Sequence, residues 1–449
     1  MIIKNCEIAL PQGNELISLD IAIDQGKLVS IGENLEGPDV FDAKGLQVFP
    51  GAIDPHVHFN DPGFTEREDF YHGCACAASG GVTTIIDMPC TSIPPVTSLE
   101  NLQKKLDVVS KQAVIDFGFY GGVSRQVFES TYQESMAELA EFVMGFKTYF
   151  ISGMQSFGAL DSSQLQAVLA EAKKLGRPVL LHAEDPAIVN KLTQEEKAKG
   201  SGWMNFYRSR PESAETFAAV KAIAVARATG ANLHIVHIGT GDVALLLPNE
   251  AKVSGETCPH YLEFNNEDLD IIGAALKTVP IVKSKGNAEV LWKALMDGSI
   301  DFIASDHAPA PTAQKNTGSA WTDYSGIPGS GSIFPYMYSE GLIKRKMPLA
   351  RLLEVTAENA AKRYDIWDRK GSIEIGKDAD LIFVDPAMTW TVRGKDFLSK
   401  GKTTPFEKRV FAGRVVKTMC RGEFVYDHEK GITSQAGYGQ FIKPQKGGA

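Results

Sequence analysis

The sequence predicts an α/β fold: a TIM (β/α)8 barrel carrying a small composite β-sandwich built from both chain ends. Three observations predict it. About eight short apolar runs between residues 46 and 306 alternate with helical patterns. The two ends of the chain read as strands with turn signals. The length of 449 residues exceeds one ordinary core yet suits a barrel with an accessory domain. The expected division is 1–50 with 368–449 for the β-domain and 51–367 for the barrel.

Composition narrows the class. Apolar residues make up 43% of the chain and charged residues 22%, an ordinary globular balance. A net charge of −9 and the lack of a Lys/Arg block argue against nucleic-acid and anionic-membrane partners. The start, MIIKNCEIALPQG, has no basic stretch leading into a long apolar one. No apolar run approaches the ~20 residues of a spanning helix. A cytoplasmic protein is expected, with its six scattered cysteines reduced and mostly buried.

Taken in order, MIIKNCEIAL and LISLDIAIDQGKLVSIG are strand-like, with a turn at Gln25-Gly26. The run 46–53 reads as a buried strand behind a Pro-Gly kink. Strands are then expected at 81–88, 114–120, 143–147, 178–182, 233–237, 253–257 and 300–306. Helices are expected at 101–111, 133–141, 162–175, 213–229 and 288–297. Residues 307–335 are polar, Gly-rich and aperiodic, and a loop that long is expected to serve the barrel mouth. ADLIFVD and RVVKTMCRGEFVY return to strand patterning, and pairing of these strands with the N-terminal ones is expected.

Six chemistry-bearing side chains fall at the ends of expected barrel strands: His56, His58, Lys147, His182, His237 and Asp306. In an extended chain His56 and His58 share a face. Barrel active sites form at the C-terminal ends of the strands. Four imidazoles and a carboxylate suit zinc or another first-row divalent ion. Singly, each has a plainer reading: His182 and His237 as core histidines, Asp306 as a helix cap, Lys147 as a salt-bridged surface residue. Their shared position at strand ends favours the metal reading. Lys147 ends an apolar strand, and burial lowers a lysine pKa. Its neutral amine can add CO₂ to give a carbamate anion able to bridge two ions.

The motifs FPGAIDPHVHFNDPG, GGVTTIIDMP, GFKTYF, LLHAEDP, HIVHIGT, GETCPHYL, DFIASDHAP, GSIEIGKDADLIFVDP and TPFEKRVFAGRVV follow in order. Through them the chain resembles the amidohydrolase superfamily, in the cyclic amidohydrolase group of allantoinases, dihydroorotases and hydantoinases. The resemblance implies a barrel with a small β-sandwich, and two divalent ions, usually zinc. It implies that His56, His58 and Asp306 hold the more buried ion, that His182 and His237 hold the second, and that carboxylated Lys147 bridges them. It further implies hydrolysis of a cyclic amide, with a bridging water acidified to hydroxide and Asp306 carrying the proton to the leaving ring nitrogen. Relatives are commonly dimers or tetramers. Some relatives that lose metal ligands act as scaffolds; all six residues are present here, which favours an enzyme.

The substrate reading rests on departures. Dihydroorotases usually carry an Arg where Asn60 stands and an Asn where Val279 stands. An asparagine is a poor partner for a substrate carboxylate but offers a donor and an acceptor to a neutral ureide. Asn60, two positions beyond His58, is expected on the face of the histidines. FGFYGG and GETCPHYL also resemble allantoinases, so allantoin is the expected substrate, with dihydroorotate and hydantoin-type rings as alternatives. IVK at 281–283, Gly239-Thr240 and the 324–331 loop depart from the common allantoinase pattern. Ser330 and the backbone of that loop are expected substrate contacts. His72, His234 and His428 are read as structural or surface residues.

Overall fold

Gly51 divides two structural regimes. A computed structural model describes residues 1–445. In it the apolar run 46–53 is two strands, β5 (Gln47–Pro50) and β6 (Ala52–Val57), not one. β5 pairs antiparallel with a C-terminal strand, Phe49 opposite Ile382, whereas β6 pairs parallel with the strand Val82–Asp87. A side chain at Gly51 would meet Thr83 Oγ1 at 2.2 Å, so only glycine lets the chain cross so closely over its neighbour.

The β-rich part is one hydrogen-bonded sheet of nine strands. From the N-terminus come β1 (Ile2–Ile8), β2 (Ile17–Asp24), β3 (Lys27–Gly32), β4 (Val40–Asp42) and β5. From the C-terminus come Leu381–Thr391, Val410–Cys420, Glu423–Asp427 and Gly431–Ile432. β5 joins the two sets by lying between β1 and Leu381–Thr391. Ile3, Ile21, Val48, Leu381 and Phe383 form the core on one face. Beyond Ile432 the chain leaves this sheet, and Phe441 bridges to Phe117 in the barrel.

The barrel strands are β6, β7 (Val82–Asp87), β8 (Asp116–Phe119), β9 (Gly121–Gly122), β10 (Phe146–Tyr149), β11 (Val179–His182), β12 (Leu233–Ile235), β13 (Val253–Thr257) and β14 (Phe302–Ile303). Their pairs are parallel and, apart from two irregularities between β6 and β7, regular. β8 and β9 occupy one barrel position, separated by Tyr120, so the ring has eight positions. It closes where Val57 bridges to His307, with His58 N–H donating to His307 O at 2.8 Å. Every residue of β6, β7, β10 and β11 is buried, as expected of parallel strands covered by helices.

The five expected helices are present as Leu99–Val109, Tyr132–Leu139, Ser162–Lys174, Glu212–Thr229 and Asn287–Asp297. Phe70–Ser79 is a helix that periodicity did not announce. Its sequence FYHGCACAAS lacks a polar face because seven of its ten residues are buried. Asp69 caps it, accepting His72 N–H at 2.9 Å. The stretch 307–335 contains short helical turns at Thr312–Lys315, Ser330–Ser332 and Ile333 onward. No helix among the described residues is long and apolar enough to cross a membrane.

Candidate metal centre and active site

All six strand-end residues lie within one buried cluster at the C-terminal end of the barrel. His56 and Lys147 are fully buried, and His58, His182, His237 and Asp306 nearly so. His56, His58 and Asp306 each offer a ligand atom, all within 4.8 Å of one another, and together could hold a metal ion. His58 Nε2 is 3.1 Å from Asp306 Oδ1, and His56 Nε2 is 3.3 Å from the same oxygen. The His56 and His237 rings stand 5.3 Å apart, and those of His182 and His237 4.7 Å apart.

Which nitrogen each ring presents follows from what its other nitrogen does. His56 Nδ1 is bonded to Glu256, leaving Nε2 buried without a hydrogen-bond partner among the described residues. Nδ1 of His58 faces Cys90 Sγ at 3.7 Å and Thr91 Oγ1 at 3.5 Å, so its Nε2 points at Asp306. His182 donates Nε2–H to Glu184 at 2.8 Å and presents a lone pair at Nδ1 to His237 Nε2, 3.0 Å away. Lys147 Nζ is likewise buried with no hydrogen-bond partner among the described residues, 4.9 Å from the Tyr149 ring centre. Unpaired buried polar atoms are costly, and a cluster of them facing nitrogen and oxygen donors suits a bound cation.

Burial sets the protonation states. It holds His56 and His237 well below the usual imidazole range and lowers His182, leaving neutral ligand-type rings. At His58 burial also pulls downward, but Cys90 and the Asp306 carboxylate outweigh it and push the ring up to about 10. Burial lowers Lys147 to about 8 against the pull of Cys90 and Asp306. Burial would raise Asp306, but the hydrogen bond from His58 and the neighbouring His237 win and hold it at about 2. At neutral pH Asp306 is therefore an acceptor.

His237 and Asp306 carry backbone φ angles of 39° and 49°. Both lie in the left-handed region, uncommon for residues with a side chain. Both follow short strands and turn their side chains over the barrel end, where such outliers gather at functional sites.

A cavity of about 380 Å³ opens above the cluster. His58, His182, His237 and Asp306 form part of its wall, with Cys90, Tyr149, Arg210 and Tyr324. Tyr324, Ser325 and Gly326 come from the long loop after Asp306. A larger cavity of about 520 Å³, near Trp390 and Arg414, touches none of the cluster. The catalytic reading follows the smaller one because the convergent polar groups are there.

Asn60 and Ser330 are both fully buried, and neither is among the residues lining the cavity. β6 ends at Val57, so the two-residue alternation does not extend to Asn60. Its Nδ2 donates to His58 O at 3.1 Å, while Oδ1 has no partner among the described residues. Ser330 N–H donates to His307 Nδ1 at 3.2 Å. Sequence reasoning missed Cys90, Tyr149, Arg210 and Glu256. Tyr149 could have been found, because it lies two residues beyond Lys147 on one strand. Cys90 and Glu256 acquire meaning only from the fold.

Comparison with known proteins agrees with this geometry. The chain is 37% identical over 436 residues to an allantoinase of Rubrobacter xylanophilus, covering 95% of this chain and 94% of that one. It is 36% identical over 444 residues to an allantoinase of Solibacter usitatus, covering 97% and 95%. Among solved structures, the L-hydantoinase (dihydropyrimidinase) of Arthrobacter aurescens superposes with a TM-score of 0.93 at 30% identity, over 98% of this chain and 99% of that one. Dihydropyrimidinase from Brevibacillus agri gives 0.92 at 30% identity, over 99% and 98%. The sequence model of the amidohydrolase family matches residues 47–425, and with that span matched and the barrel-end cluster in place the chain belongs to the amidohydrolase family.

Proposed function

We propose that this protein hydrolyses a C–N bond of a cyclic ureide, converting allantoin to allantoate, with two divalent ions of the zinc type. The observation that carries the reading is the buried meeting of four imidazoles, Lys147 and Asp306 beneath a 380 Å³ cavity. His56, His58 and Asp306 would hold one ion and His182 with His237 the second. Carboxylated Lys147 would bridge them: its neutral amine forms an N–C bond to CO₂ and loses one proton. Its lowered pKa of about 8 supports this, because more amine is neutral than in an ordinary lysine. When bound, the ions supply Lewis acidity that acidifies water and polarises a ring carbonyl.

The chain's own residues do the rest. Asp306, held as a carboxylate, takes the proton of the attacking water and passes it to the leaving ring nitrogen. Tyr149 and Tyr324 line the cavity and would flank a bound ring. Among the described residues lining the cavity Arg210 is the one Lys or Arg, and Glu184 meets its charge at 2.5 Å. That charge is thereby already matched, which favours a neutral ring over dihydroorotate. Substrate contacts are proposed from the backbone of the 324–331 loop, whose Ser325 and Gly326 line the cavity; Asn60 and Ser330, buried off its wall, would act from behind it, Asn60 through its bond to His58 O. A hydantoin-type ring is the second reading, favoured by the structural likeness to hydantoinases.

The six cysteines, all free and buried, support a reducing, cytoplasmic setting. Exposed Phe217, Val220 and Leu245 support self-association as a homodimer or homotetramer. The domain division at 51 and 368 is proposed with it, supported by the sheet pairing across β5. The test is a parallel assay of the zinc-loaded protein on allantoin, hydantoin, dihydrouracil and dihydroorotate. Allantoin should have the highest kcat/KM; turnover of dihydroorotate without allantoin would overturn the reading.

A further inference from the structure

Behind His56 the barrel holds a line of polar groups with no task in the reaction described. Glu256, on β13 and fully buried, meets His56 Nδ1 with one carboxylate oxygen. Its other oxygen is 3.2 Å from His234 Nε2. His234 Nδ1 in turn lies 2.8 Å from Ser254 Oγ. The backbone N–H of His237 approaches Glu256 Oε1 at 3.4 Å. One carboxylate thus ties the first barrel strand to the sixth, and a histidine read from sequence as structural belongs to the same line.

An apolar side chain would fill this interior without burying a polar group, so the carboxyl of Glu256 calls for a reason. The geometry supplies one. Bonded at Nδ1, His56 cannot flip, and Nε2 is the only nitrogen it can offer toward Asp306. Glu256 cannot swing away either, because His234, itself held by Ser254, meets its far oxygen.

We propose that Glu256 is the positioning residue of His56, fixing its ring and tautomer and making Nε2 a stronger donor to a divalent cation, with His234 and Ser254 holding the carboxylate in place. The inference rests on the reading of His56 as a metal ligand. It predicts that metal affinity, rather than substrate fit, is what Glu256 controls.

The experiment uses the full chain loaded with zinc, then with cobalt. Zinc content and competition against a chelator are measured for wild type, Glu256→Gln, Glu256→Asp and Ser254→Ala, with folding checked by circular dichroism. Glu256→Gln should bind one of the two ions about 10–100-fold more weakly. Its cobalt form should have a shifted visible spectrum, and Glu256→Asp should recover part of the affinity. Ser254→Ala should lose about threefold in the same ion. Wild-type affinity and spectrum in folded Glu256→Gln would overturn the inference. Should that variant not fold, Ser254→Ala decides: an unchanged affinity overturns it. A wild-type chain that holds no divalent ion would instead overturn the metal reading, a distinguishable failure.

Discussion

His182 Nδ1 faces His237 Nε2 across 3.0 Å where the ends of two adjacent strands meet, and His237 Nδ1 has no hydrogen-bond partner among the described residues. Glu184 anchors His182 from behind. Two nitrogens each ~2.1 Å from one ion would stand about this close. Replacing His237 with Ala should therefore lower the bound metal from about two ions per chain to about one and cut kcat at least ~100-fold. Metal analysis of the purified variant checks it, and two tightly held ions would contradict the pairing.

Lys147 makes a separate prediction, because its Nζ is buried without a hydrogen bond among the described residues. As a bridging carbamate it would hold both ions, so Lys147→Ala should lose metal and most activity. A small carboxylic acid added at high concentration should restore part of each, since it supplies the missing bridging oxygens. An alanine variant with full metal content and normal turnover would refute the bridge.

That these side chains would face one another was legible because each lies at the end of a short apolar run, and strand ends are a local signal. The β-domain was legible for a similar reason, with β-branched residues at both chain ends. Asn60 was less so: β6 ends at Val57, and strand alternation gives no rule for a residue three positions past its end. Gly51 was visible as a kink, but not as the point where one apolar run enters two sheets. Glu256 and Cys90 carried no local signal, because their partners are 200 and 32 residues away in sequence. The helix Phe70–Ser79 escaped notice because burial on most sides removed its amphipathic period.

Gly80 ends that helix against the backbone of Gly331, where an added Cβ would lie 2.3 Å from the carbonyl oxygen. Neither backbone can retreat cheaply, and Gly331 adjoins Ser330, which bonds to His307. Gly80→Ala should cost ~1–3 kcal/mol of stability, read as a lower denaturant midpoint. A midpoint equal to wild type would mean the two segments are free to part.

Lys315 sets a pH dependence that is independent of the metal reading. It is almost fully buried, and its Nζ donates to Gly326 O at 2.6 Å and Tyr324 O at 3.2 Å, bracing the cavity wall. Burial, aided by nearby Lys277, lowers it to about 7, and burial lowers Lys277 to about 8. Between those values and the ordinary 10.5, the unfolded chain binds protons that the folded chain does not. Stability should therefore rise with pH across that window, by up to ~1.4 kcal/mol per pH unit for each group. Below about 7 the Lys315 contribution is lost, because the folded protein then carries a buried ammonium. Lys315→Met should flatten the rise between pH 7 and 9 and, by loosening Tyr324 to Gly326, raise KM more than it lowers kcat. Denaturant midpoints measured across that pH range check the first outcome. A slope as steep as the wild type would show that Lys315 is not the group responsible.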